Sequence, residues 1–290
     1  MTIHRPFFKS ARHHAMGIKA LDPADWLEFG EDAAHQLAER HRLLDERPSE
    51  VIAALPGSEA AQDELAALVL DYLERHARDR YRIETDRVVE PATGFSCDRS
   101  NASVLGRLVQ EDFCLLQKHE GRYVLSAAVL CFPAHWSLAE KLGRPLIEIH
   151  APVPGFAEQL GSPVERLFDN LSTEKPVQRL NWSLVDTDEL FLPPSHRTEP
   201  VRLDKEDVAE RVRLRVERQT LRRLPRSGAV VFGIRTHITP LAEAIDTAEA
   251  AAALIERLHE LPSPMQTYKN LVRVKPALLA FLEARSTAML

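Results

Sequence analysis

Between Ser58 and about Arg78, Leu65, Val69 and Leu73 recur four residues apart with Leu68 and Tyr72 beside them, the apolar stripe of a long amphipathic helix. An earlier helix is predicted from Asp22-Pro23, a capping residue followed by proline at the first helical position, to about Leu44. After Pro91-Ala-Thr-Gly94 the period changes. RLVQEDFCLLQK, beginning near Arg107, and RYVLSAAVLCF are β-rich runs on either side of His119-Glu120-Gly121, which predicts a hairpin. Residues 137–172 return to short helical pieces (SLAEKLG, FAEQL, PVERLFDNL) broken by proline and glycine. Strand character resumes at about 177–186, 211–223 and 229–239, the last two flanking Arg226-Ser227-Gly228 as a second hairpin. TAEAAAALIERL and PALLAFLEA make the last fifty residues helical.

Two strands, a helical insertion and three strands, with helices at both ends, predict an α+β fold. This is the order of a PAS-like domain, a five-stranded antiparallel sheet whose helical insertion covers one face and encloses a ligand pocket. Other α+β folds share these ingredients, because the sequence does not fix the strand pairing. The expected organisation is one such domain over residues 1–290, with helical extensions over about 1–100 and 240–290.

Composition narrows the class. With 44% hydrophobic and 28% charged residues, the 290-residue chain has enough apolar material for a core. No apolar run approaches the ~18 residues of a membrane span, and the amino terminus lacks a secretory pattern. A net charge of −6 disfavours non-specific nucleic-acid binding. Cys97, Cys114 and Cys131 are odd in number and show no CxxC spacing, so neither a disulfide framework nor a Cys-rich zinc site is expected; Cys114 and Cys131 read as buried apolar residues and the setting as cytoplasmic. GxGxxG, Walker, GxSxG and HExxH patterns are absent, and the 11 glycines do not cluster, which argues against a nucleotide-binding domain.

The chemistry-bearing positions lie mainly on the expected strands. Along Arg211–Pro225, alternation puts Val212, Leu214 and Val216 on one face, and the same register carries Arg218, Thr220 and Arg222 onto it. Two readings follow. Either the two guanidiniums enter the sheet's core-facing side, where they need carboxylates or an anionic ligand, or a bulge resets the register and sends both to solvent. Arg179 and Asn181 share a face of the third strand, opposite Leu180, Trp182 and Leu184. Glu111 and Asp112 point to opposite faces, and the one turned inward would form an internal ion pair or receive a cationic ligand. His150, in IEIHAPVPG, and His135, in FPAHW, are lone histidines; one is too few for a zinc site but sufficient for haem, whose porphyrin supplies four nitrogens.

LVQEDFCLL, CFPAHWSLAEKLG, IEIHAPVPGF, KPVQRLNW and RVERQTLRRLPRSGAVVFGIRT occur in order across residues 108–236. Together these stretches resemble the haem-dependent oxidative N-demethylase family, alpha subunit. The resemblance implies a PAS-like fold that binds haem b and acts as a monooxygenase on small secondary amines such as dimethylamine, with O2 as co-substrate and formaldehyde as a product. It also implies electrons from NADPH through a separate reductase component carrying FMN and a [2Fe-2S] cluster, and a possible formaldehyde-handling subunit. Under it His150 is the expected axial haem ligand, with His135 the rival. Arg222, Arg179 and Asn181 are expected at the cofactor, and Arg218, Thr220 and Asp112 in the catalytic pocket. Glu111, Asp112 or Glu217 would assist removal of the amine's proton, with Glu217 the weaker choice because it lies opposite Arg218. A PAS-like sensor that binds haem or a small ligand without turnover is the competing reading.

Overall fold

The structure is a computed structural model that describes residues 3–8, 16–84, 87–91, 93–98, 105–196, 203–269 and 271–288. In chain order its strands are β1 (Lys19–Ala20), β2 (Ile52–Ala54), β3 (Arg82–Ile83), β4 (Arg87–Glu90), β5 (Phe95–Asp98), β6 (Asp112–His119), β7 (Arg122–Val129), β8 (Val177–Val185), β9 (Arg213–Arg223) and β10 (Val230–Pro240). The helices of the amino-terminal part are α1 (Ala33–Glu46), α2 (Pro48–Val51), α3 (Glu59–His76) and α4 (Leu105–Leu108). The insertion carries α5 (Leu138–Lys141), α6 (Leu146–Ile149), a π-helical turn at Ala157–Gly161 and α7 (Ser162–Asn170). Then come α8 (Lys205–Arg211), α9 (Leu241–Ala244), α10 (Ala248–Glu260), α11 (Ser263–Tyr268) and α12 (Lys275–Ala288).

Seven strands form one antiparallel sheet in the order β1-β8-β9-β10-β6-β7-β2. The five expected strands are its contiguous centre, and the two-residue β1 and three-residue β2 extend it at the edges. Both predicted hairpins form. Glu120 (φ 47°) and Gly121 (φ 82°) make the tight β6–β7 turn, where positive φ at both positions matches the strand twist. The first of the five begins at Asp112 rather than near Arg107, because Leu105–Leu108 close a helical turn instead. A separate three-stranded sheet, β3-β4-β5, occupies a stretch expected to be helical. Of the interrupting Pro91-Ala-Thr-Gly94, Ala92 lies outside the described residues.

Cross-strand partners share a face, so the pairing assigns every core residue to one side. On one side, Phe113, Leu115 and Val231 pack with Trp26, α3 and the small sheet, while Leu214 and Val216 pack with α8, α10 and α12. On the other, Cys114, Leu116, Leu125, Leu221 and Val230 meet the insertion through Leu138, Leu146 and Phe168. The sheet is thus sandwiched between the terminal helices and the insertion. Among the described residues no helix is long and apolar enough to cross a membrane. The three cysteines are buried and free.

The predicted Asp22–Leu44 helix is divided. Asp22 caps a single turn, Pro23–Asp25, through Ala24 N (2.9 Å), and α1 starts only at Ala33. The carbonyls of Asp25 and Trp26, which a continuing helix would use, instead accept Nη2 (2.5 Å) and Nη1 (3.1 Å) of Arg218. At Gly30 a Cβ would meet Asp32 Oδ1 at 2.1 Å and Arg235 Nη2 at 2.9 Å, so the chain crosses the buried arginine at a residue without a side chain.

Asp112 anchors another junction. It accepts Arg40 Nη1 (2.6 Å) and the backbone N–H of Cys131 (2.7 Å) and Phe132 (2.9 Å), with both charged side chains fully buried. Replacing Asp112 by Ala leaves Arg40 an unpaired buried cation and orphans two amides. The expected loss is about 3–5 kcal/mol, measured as the shift in urea denaturation at constant m-value; a loss below about 1 kcal/mol would contradict a buried anchor.

Candidate functional site

The face of the sheet toward the insertion is incompletely sealed. β8 pairs Arg179 with Gln219 and Asn181 with Glu217, while β10 pairs the same β9 residues with Ile234 and Thr236. These side chains therefore share one face. Arg179, Asn181, Glu217 and Gln219 are half-buried there, as are Trp136, Ile149 and His150 of the insertion.

His150 ends α6, between Pro145 at its start and Pro152 beyond it. Its Nδ1 is 2.9 Å from Leu146 O, and the ring stacks on Phe156 with centroids 4.3 Å apart and planes 10° from parallel. A carbonyl can only accept, so Nδ1 carries the proton and Nε2 keeps its lone pair. Nε2 has no partner among the described residues. This tautomer, fixed by a backbone carbonyl, is the one a metal-ligating imidazole adopts. Burial pushes the His150 pKa down; the Leu146 bond opposes this, and the charges of Arg179 and Lys141 add to it. The ring is held neutral.

Arg179 supplies positive charge on the same face. Its Nε is buried without a hydrogen-bond partner, and burial lowers its pKa against the opposing charge of Glu217. Thr236 Oγ1 is likewise buried and unpartnered. Glu217 Oε2 accepts Asn181 Nδ2 at 3.3 Å and Gln219 Nε2 at 2.9 Å, which fixes the carboxylate between two amides. The other histidine, His135, lies in the loop after β7 with φ 60°, sparsely populated for a non-glycine residue, and its N–H donates to Leu192 O at 2.6 Å.

Arg218, Thr220 and Arg222 follow the core-facing phase, because β9 pairs with β10 without a bulge throughout Arg213–Arg223. That phase is the side of the terminal helices, opposite His150, Arg179 and Asn181. Besides the two carbonyls, Arg218 donates Nε to Gln178 Oε1 (2.9 Å) and lies 3.2 Å from Glu28. The Arg222 guanidinium stands 4.9 Å over the Trp26 ring. Thr220 fills the space at Gly233, where a Cβ would meet Thr220 Oγ1 at 2.6 Å. The structure thus brings together His150, Arg179 and Asn181, and sets Arg218, Thr220 and Arg222 behind the strand. Asp112 is engaged by Arg40 and two amides. Glu217, Gln219 and Thr236 carry polar groups to the His150 side, and sequence reasoning gave them little or no weight. The available signal was their phase with Arg211, Arg213 and Arg215, which alternation marked as the non-core face although the insertion covers it.

The family model described as haem-dependent oxidative N-demethylase, alpha subunit-like, matches residues 17–279 of the chain.

Glu111, the second carboxylate of the pair, is buried on the terminal-helix side and accepts Glu28 N–H at 2.8 Å. Burial pushes its pKa up to about 7, against the nearby charges of Arg235 and Arg218. The folded state therefore binds a proton that the unfolded state has released between about pH 4.5 and 7, so this group makes stability fall as pH rises through that window. Glu111→Gln is expected to match the parent near pH 5 and to be more stable at pH 8, measured as Tm against pH. A variant less stable at pH 8 than at pH 5, relative to the parent, would contradict the raised pKa.

Proposed function

The chain belongs to the haem-dependent oxidative N-demethylase, alpha subunit-like family, and from that premise we propose that it is a haem-binding monooxygenase demethylating a small secondary amine such as dimethylamine. The observation that carries this reading is His150, whose Nδ1 is tied to Leu146 O, which leaves Nε2 with its lone pair for a metal. The residues present fit the group. One neutral imidazole suits an axial position on haem b, and a buried, unpartnered Arg179 Nε on the same face suits an anionic propionate. The succession of two central strands, helical insertion and three central strands supports the PAS-like assignment.

Haem b, when bound, supplies the dioxygen and electron-transfer chemistry that oxidises an N-methyl carbon. The chain's own residues handle charge, orientation and water. His150 would hold the haem iron, its ring direction set by Leu146 O and Phe156. Arg179 and Asn181 would hold the cofactor edge. A dialkylamine is a cation at neutral pH, and the Glu217 carboxylate, already steadied by two amides, accepts an N–H of that ammonium and orients its methyl groups. Phe156, Ile149 and Trp136 present apolar surface that limits water. Arg218 and Arg222 act from behind β9, fixing the strand against the amino-terminal segment, while Thr220 packs at Gly233 of β10.

For dimethylamine the balance is amine, O2, two electrons and two protons giving methylamine, formaldehyde and water. The electrons require a partner, and an alpha-subunit-like chain implies partner subunits. A reductase carrying FMN and a [2Fe-2S] cluster, fed by NADPH, suits that role, and a second subunit would take up formaldehyde. Three buried thiols support a cytoplasmic setting.

The absorption spectrum after haem-replete expression tests the ligand. We expect a Soret band in the parent and in His135→Ala, and its loss or marked shift in His150→Ala. A band lost only in His135→Ala would reassign the ligand, and no haem in the parent would overturn the function. With dimethylamine and a competent reductase, formaldehyde release at one equivalent per amine consumed is expected. Haem binding without turnover would identify a sensor instead.

A further inference from the structure

His237, Glu28 and His4 converge on the terminal-helix side of the sheet. His237 is on β10, paired with Val216 and thus on the face opposite His150; Glu28 lies between the Pro23–Asp25 turn and α1; His4 precedes the turn Pro6–Phe8. His237 Nε2 is 2.9 Å from one oxygen of Glu28, His4 Nε2 is 3.5 Å from the other, and one ligand atom from each of the three residues lies within 4.8 Å of the others. We propose that His4, Glu28 and His237 form a binding site for one divalent transition-metal ion of the zinc class.

Two imidazole nitrogens and a carboxylate oxygen are the donor set such ions take, with a fourth position left to water. Ligand atoms at ~2.0–2.2 Å from one ion lie about 3.3 Å apart, so small rotations of these side chains close the present spacing. His4 Nε2 is buried and has no hydrogen-bond partner, and the two imidazole rings meet at 4.7 Å and 60° with no hydrogen bond between them. Arg218 Nε also stands 3.2 Å from the Glu28 oxygen that faces His4, but this guanidinium has Gln178 Oε1, Asp25 O and Trp26 O as further acceptors. Protonation states agree with the geometry. Glu28 is held far below the usual carboxylate range by His237, His4 and Arg218 in spite of burial, and burial pushes the His237 pKa down. The carboxylate side chain is 29% exposed, which leaves an entry for the ion.

The ion would fasten residues 3–8 to the sheet, alongside Phe7 in the core and the Arg5–Asp246 ion pair. Its site is separated from His150 by the thickness of the sheet, so its fate is independent of haem.

The test is zinc stoichiometry and affinity of the full-length chain, by elemental analysis after dialysis and by competition with a chromophoric chelator. The parent and His150→Ala are expected to hold one zinc per chain in this site, whereas His4→Ala and His237→Gln lose it or bind at least about tenfold more weakly. Zinc is also expected to raise the Tm of the parent but not that of His4→Ala. His4 lies in no strand or helix, so that variant keeps the test intact if His237→Gln folds poorly, with circular dichroism as the check. Zinc absent from the parent, or bound by His4→Ala as tightly as by the parent, would overturn the site.

Discussion

Along Arg213–Arg223 every residue of β9 pairs with β10, and from Arg213 to Leu221 with β8 as well, with no bulge in either register. Each side chain is thereby committed to a face, and one residue of slippage would exchange the two sets. This commitment forces Arg218 into the interior, directly across from Arg235 on β10, so two like charges sit side by side in the core. They are tolerable only because residues 22–36 cross them with acceptors. Asp25 O and Trp26 O take Arg218, while Gln36 Oε1 (2.6 Å) and Asp32 Oδ1 (2.7 Å) take Arg235. The shape of the amino-terminal segment is a consequence of the charge it has to satisfy.

The same register frees the opposite face for chemistry. With Arg218 and Arg235 of one phase spent on backbone carbonyls and side-chain acceptors, the other phase presents Glu217 and Gln219 beside Arg179 and Asn181, under the insertion that carries His150. Polar groups with unmet hydrogen bonds, Arg179 Nε and Thr236 Oγ1, lie on this side. Burying such groups unpaired costs stability, and a bound cofactor with anionic edges would satisfy the guanidinium.

What was legible in the sequence was what local pattern controls. Alternation located the five central strands, Glu120-Gly121 and Ser227-Gly228 marked their turns, and the Leu65-Val69-Leu73 stripe marked α3, because each signal is written within a few residues. The break between Asp25 and Ala33 was not legible, since its cause lies about two hundred residues away in Arg218 and Arg235; Gly30 was the only local sign. The short β3–β5 sheet was missed because strands of two to four residues carry almost no periodicity. Alternation correctly grouped Arg218 with Thr220 and Arg222, and Arg179 with Asn181. It did not say which group the insertion would cover, and for that reason Glu217 drew little weight. An internal ion pair was anticipated for whichever of Glu111 and Asp112 turned inward; both are buried, and Asp112 pairs with Arg40, which a distant helix delivers.

The central claim is that the cofactor belongs to the insertion side of the sheet, and it is tested most directly by comparing two arginines on opposite faces. Arg179→Leu and Arg222→Leu would each be purified with haem, and the rate of haem transfer to an excess of an avid apo-globin acceptor measured. The account predicts transfer about tenfold faster or more for Arg179→Leu, from the loss of a charge-assisted contact, and a parental rate for Arg222→Leu, whose guanidinium lies over Trp26 on the other side. Rapid transfer from Arg222→Leu with a parental rate for Arg179→Leu would place the haem on the wrong face and contradict the account.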